Sequence, residues 1–160
     1  MYLFPGSSYG ILGSVLVDNN ASGTNRFVST TSNIGIMGDL TINTGAEYRL
    51  SSTTYIAGNV INNGTLTTTS TLNLGSYFNA IVAPATNAQT ISGSGVFRNS
   101  ITTTTASLTS LTVNNSNATG ITLNVPLSVS GTLTMTSGKI NTTSTNILRL
   151  GTATAAGTLS

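Results

Sequence analysis

Three glycines, Gly38, Gly45 and Gly58, are separated by 7 and then 13 residues, and Gly131, Gly138 and Gly151 repeat both intervals. The next interval agrees too: Gly64 follows Gly58 by 6 residues, and Gly157 follows Gly151 by 6. Apolar positions between them correspond, with Leu40 and Ile42 matching Leu133 and Met135, and Tyr48 lying near the place of Ile140. Upstream, Val15-Leu16-Val17-Asp18-Asn19 leading to Gly23 resembles Leu111-Thr112-Val113-Asn114-Asn115 leading to Gly120. A unit of about 93 to 96 residues therefore appears nearly twice and contains shorter units of about 20. Such periods belong to chains that stack small units, each too thin to bury its own apolar face.

Within the units, residues alternate with a period of two. Leu111-Thr112-Val113, Ile121-Thr122-Leu123-Asn124-Val125, Leu127-Ser128-Val129 and Leu133-Thr134-Met135 each place aliphatic side chains on one face and polar ones on the other. This is the pattern of a half-buried strand. Glycine and Asn63-Gly64 punctuate the strands where the chain must turn. No segment sustains a helical period, and abundant Thr and Asn disfavour helices. Short strands in a 20-residue period fit an all-β, parallel β-helix (β-solenoid), with about eight coils in a rod of roughly 40 Å. The alternative is a β-sandwich, where alternation and frequent turns also occur. Residues 1–32 read as less regular first coils, 33–75 and 111–160 as related repeats, and 76–110 as connecting coils of one domain.

Charge is scarce. Of 160 residues, five are Lys or Arg and three are Asp or Glu, and the five cations are scattered along the sequence. Nucleic-acid binding rests on clustered Lys and Arg, so no such partner is expected. No apolar run reaches the ~18 residues of a membrane-spanning helix, and residues 1–6 do not form a signal peptide. Cysteine and histidine are absent, which removes disulfides, thiolate metal sites and the usual neutral-pH acid–base group.

Catalysis would have to use the carboxylates. Asp39 and Glu47 lie eight residues apart across a turn, and a glycosidase-like pair is one reading. The plainer reading makes Asp39 a turn residue after Gly38 and pairs Glu47 with Arg49. Calcium-binding β-rolls need an Asp in every turn, which this chain lacks. No catalytic, cofactor or metal site is expected, and the chain is read as having no enzymatic role. Two surface features remain. The threonine runs Thr67–Thr69, Thr102–Thr105 and Thr132-x-Thr134-x-Thr136 could form ladders for ice or glycans, although Thr also favours exposed strand positions for its own sake. Tyr77 and Phe78, with Phe97, form either a sugar platform or core packing. Sequons such as Asn63-Gly64-Thr65 arise by chance in so Asn- and Thr-rich a chain and carry no weight.

The phrases Gly58-Asn59-Val60-Ile61-Asn62-Asn63-Gly64-Thr65-Leu66, Ala88-Gln89-Thr90-Ile91-Ser92-Gly93-Ser94-Gly95 and Ser130-Gly131-Thr132-Leu133-Thr134-Met135-Thr136-Ser137-Gly138 resemble large secreted surface proteins of Bacteroidetes-type bacteria. Those are Thr/Ser/Asn-rich repeat chains similar in texture to adhesin stalks. The resemblance implies an extracellular or cell-surface location and a structural or adhesive role. No capping unit follows Gly157-Thr158-Leu159-Ser160, so the expectation is a piece of a longer chain, or open ends used for stacking. The expected partners are another copy stacked head to tail, neighbouring repeats of a parent chain, or surface glycans. The alternatives are the stalk of an adhesin whose binding module lies elsewhere, and an ice- or glycan-binding module.

Overall fold

A computed structural model describes residues 2–3, 9–18, 27–77, 83–102 and 106–160, and among them there are strands and no helix. The chain winds repeatedly through three parallel sheets. Face 1 contains β1 (Tyr2–Leu3), β4 (Phe27–Thr30), β7 (Glu47–Leu50), β10 (Thr65–Thr68) and β15 (Val96–Arg98). Face 2 contains β2 (Tyr9–Leu12), β5 (Asn33–Ile36), β8 (Thr54–Ile56), β11 (Thr71–Leu74), β16 (Ser110–Asn114), β19 (Thr132–Ser137) and β22 (Thr158–Leu159). Face 3 contains β3 (Val15–Val17), β6 (Leu40–Ile42), β9 (Val60–Asn62), β14 (Gln89–Ser92), β17 (Ile121–Leu123) and β20 (Ile140–Asn141). Beyond a break, β18 (Leu127–Val129) and β21 (Leu148–Leu150) continue the winding in the place of face 1. This is a parallel β-helix. Each strand of the three faces pairs in parallel with the strand one turn away, which no two-sheet antiparallel sandwich does.

Among the described residues face 2 has seven strands, which gives seven rungs where about eight were expected. At a strand spacing of about 4.8 Å, six steps span roughly 29 Å. The missing rung went into insertions. Ile34 to Thr54 and Thr54 to Leu72 are steps of 20 and 18 residues, whereas Leu72 to Leu111 takes 39. That long turn holds an antiparallel hairpin, β12 (Ser76–Tyr77) with β13 (Ala83–Pro84). It also holds the segment that parts face 1, where Arg98 bridges Ala106 in antiparallel fashion and Leu108 bridges Val129 in parallel.

Alternation puts one side chain in two inside. Ile36, Ile56, Leu74 and Val113 stack in register on face 2, and Leu40, Val60, Ile91 and Leu123 stack on face 3. All eight are almost completely buried. Each fully buried aliphatic side chain contributes about 1.5–3 kcal/mol. A few polar groups share this interior. The Tyr48 hydroxyl and the Thr54 Oγ1 are buried without a hydrogen-bond partner, and burial pushes the Tyr48 phenol well above its ordinary pKa.

Corners dictate where glycine is needed. Gly38 N–H bonds the Gly13 carbonyl at 3.2 Å, and Gly58 N–H bonds the Gly38 carbonyl at 3.1 Å. A Cβ on Gly58 would lie 2.3 Å from the Gly38 carbonyl carbon and oxygen. The long repeat has a specific geometry. Gly38 and Gly58 stand between faces 2 and 3, while Gly131 and Gly151 stand between faces 1 and 2. Gly45 and Gly138 differ in the same way, so the related segments are displaced by one face around the rod. The repeating element is strand–corner–strand, and every corner can use it.

Gly58→Ala should therefore cost about 1–3 kcal/mol, because the clash is with backbone that cannot step aside. Gly13→Ala should be close to neutral, since nothing lies within 4 Å of its added Cβ. Urea denaturation of the two variants measures the difference; equal midpoints would mean that corner close-packing does not limit this fold.

Candidate functional site

The outer surface of face 1 carries Glu47, Arg49 and Arg98, three of the seven charged residues among those described. Tyr48, Leu50, Leu66 and Phe97 point into the core, so their neighbours point out. Outward Arg49, Thr67 and Arg98 lie in register on successive strands, as do Glu47, Thr65 and Val96. Glu47 is the hub. Its Oε2 accepts a hydrogen bond from the Arg49 guanidinium at 2.8 Å, and its Oε1 accepts one from the Thr67 hydroxyl at 2.7 Å. Burial pushes the Glu47 carboxyl pKa upward, but the bonds from Arg49 and Thr67 and the charges of Arg49 and Arg98 outweigh it, leaving the pKa below the ordinary value.

Asp39 sits elsewhere, at the corner leading into face 3. Its backbone N–H bonds the Ser14 hydroxyl at 3.2 Å, and its Oδ1 accepts the Asn59 backbone N–H at 2.7 Å. Asn59 repeats the arrangement with the Thr90 N–H at 2.9 Å. The result is a ladder of short polar side chains holding four successive turns. Asp39 precedes β6 and Glu47 opens β7 beyond it, and Asp39 Oδ1 and both Glu47 carboxylate oxygens accept hydrogen bonds from the rod itself. Among the described residues no group of three or more Asp, Glu, His or Cys could hold a metal ion.

Phe97 is buried in the core. Phe78 lies outside the described residues, as do Thr103 to Thr105, and β12 describes only the backbone of Tyr77. In the registered pairs, Thr meets Thr at Thr90–Thr122, Thr112–Thr134 and Thr132–Thr158, and no run extends to a third rung. Flat threonine arrays of the kind expected for ice are therefore short. What the sequence reading missed is a buried amide cluster at the hairpin. Gln89 donates to the Ile56 carbonyl at 3.1 Å and accepts from Asn115 at 2.8 Å, while Asn114 donates to the Ser76 hydroxyl at 3.1 Å. These groups clamp the insertion to the rod. Gln89 is the sole glutamine of the sequence, but nothing in spacing or composition separates Asn114 and Asn115 from the many other asparagines.

Two further features complete the surface. The parting of face 1 opens a hollow of about 540 Å³ walled by Ser107, Ser128, Arg149 and Thr152, with a smaller one of about 220 Å³ beside it that shares Ala106, Ser128 and Arg149. At one end of the rod, β20, β21 and β22 are the edge strands, with Ile140, Leu148 and Leu150 half-buried and Leu159 65% exposed.

Glu47→Gln tests the hub. A group held below its unfolded pKa stabilises the fold above that value, ~4.3 for Glu, and loses this contribution as the pH falls through its folded pKa. The variant should be about 0.5–1.5 kcal/mol less stable than the parent at pH 7. The gap should close below about pH 4. Urea midpoints across pH 3–7 measure it, and a pH-independent gap would remove the ionic explanation.

Against known proteins the chain stands by its structure: no family model matches it, and neither a curated protein nor a solved structure does.

Proposed function

We propose that the chain is a structural rod segment of an extracellular or cell-surface fibre, joined end to end with further copies or repeats. One observation carries this reading: each turn of the parallel β-helix is covered by the next, so the rung bearing β20, β21 and β22 is built to be covered by following repeats or by a second copy. Three parallel sheets end there on edge strands, whose outer backbone N–H and C=O groups form a template for another strand. The apolar side chains Ile140, Leu148, Leu150 and Leu159 at this end are left half-buried or exposed. Adding a rung would pair the backbone and cover these side chains together. A contact between unlike ends does not close on itself, so it propagates into a filament.

The low charge supports the same reading, since it provides little repulsion between copies. The extracellular location rests on the resemblance in residue texture to bacterial surface stalks. The reading assigns the chain no reaction, and a β-helix by itself dictates none.

Light scattering and negative-stain electron microscopy on the intact chain should show filaments whose axial repeat is near the ~29 Å of six strand spacings plus one joining step. Leu148→Lys/Leu159→Lys should abolish them, because the end would then carry two desolvated ammonium groups. Ile101→Lys, at an exposed side position, should leave them intact. A monomer at every concentration would sink self-assembly and leave the adhesin stalk as the reading to pursue.

A further inference from the structure

The outer surface of face 1 holds more than the Glu47 hub. Arg149 stands outward on β21, beside Ser128 of β18 in register, while Leu127 and Val129 point into the core. Arg49, Arg98 and Arg149 therefore share one side of the rod, and they are three of the five basic residues in the sequence. Lys139 lies in the turn between β19 and β20, and Arg26 is outside the described residues. Glu47 is the sole carboxylate on this side among the described residues. Asp39 stands at the corner between faces 2 and 3, and Asp18 follows β3. A chain nearly devoid of charge thus concentrates a local excess of two positive charges along one line.

That line runs into the hollow. Arg49 and Arg98 are two strand spacings apart, about 10 Å. Arg98 bridges Ala106, which lines both parts of the hollow, and Arg149 lines both from the far side. Two polar atoms here lack partners: the Ser107 Oγ, fully buried in the wall of the larger part, and the buried Nε of Arg98. Ser128 and Thr152 add hydroxyls, and Pro126 and Ile147 an apolar patch.

We propose that this side of the rod binds a linear acidic polysaccharide lying along the axis. Arg98 and Arg149 take its acid groups as paired N–H donors, the geometry in which guanidinium and carboxylate or sulfate match. The hollow receives a sugar ring, with hydroxyls on the wall to exchange hydrogen bonds and an apolar patch for its C–H face. A nucleic acid fits less well. Three guanidiniums against one carboxylate are few for a phosphate backbone, and no aromatic ring stands exposed among the described wall residues to stack a base. The proposal goes beyond the fibre role and does not depend on it, because stacking uses the rod's end and this surface is lateral.

The experiment is calorimetric titration of the intact chain with oligogalacturonate of defined length, at low and at ~0.15 M ionic strength. Binding should be present at low salt, weaken as salt rises, and fall about tenfold or more in Arg149→Gln. Arg149→Lys should recover only part of it, and Lys139→Gln should bind like the parent. Arg149 is exposed, so its loss should leave the unfolding midpoint unchanged, and that midpoint is measured alongside. No binding of oligogalacturonate or of a sulfated glycan at low salt overturns the proposal. So does equal binding of neutral dextran, equal weakening by Lys139→Gln, or tighter binding of single-stranded DNA than of either acidic glycan.

Discussion

Backbone stacked on backbone, one turn directly over the last, is the constraint on which the rest of this structure depends. Parallel strands a fixed spacing apart leave no room for a side chain where the corners meet, so Gly38 and Gly58 approach each other through their main chains. The same stacking sets the interior. Each inward position lies over its counterpart one turn away, and the core becomes columns such as Leu40, Val60 and Ile91. An aliphatic residue placed in such a column covers the one beneath it and is covered by the one above. Stability is then a nearest-neighbour property, distributed along the rod.

A fold of this kind must also satisfy polar groups at its corners without charge. Short side chains supply the answer, as in the run from Ser14 through Asp39 and Asn59 to Thr90, where each group bonds the backbone of the next turn. Asp39 is one member of that run, and an amide or hydroxyl occupies the equivalent place in its neighbours. The carboxylate is used there as an acceptor for N–H groups. Glu47 is used as an acceptor too, but on an open face between guanidiniums, where its charge is stabilised. The two residues share a chemistry and occupy unlike environments.

The interruptions are where the rod acquires individuality. The hairpin at β12 and β13 is held by Gln89, Asn114 and Asn115, a buried amide group whose members bond one another and the main chain. The second interruption separates β15 from β18 and produces a place where the lateral surface is concave and lined by arginine. Insertions cost a long solenoid little, because each turn depends mainly on its two neighbours.

Much of the architecture was legible in the residues. Alternation in stretches such as Leu127-Ser128-Val129 marked strands, and glycine intervals marked a stacked repeat, because period-two burial and corner close-packing are local demands that leave local traces. The sequence by itself determined an all-β chain of stacked repeats with aliphatic side chains inside and hydroxyls outside, and it left a sandwich as the alternative to a rod. Only the tertiary structure decided which residues lie over which. Arg49, Arg98 and Arg149 are about fifty residues apart in sequence, yet they share one side, because insertions change the length of each turn and so change which positions fall on the same face. Similarity at an offset of 93 residues could not reveal that related segments are displaced by one face around the rod. Alternation tells each side chain to point inward or outward, but the face it occupies depends on the cumulative length of everything wound before it.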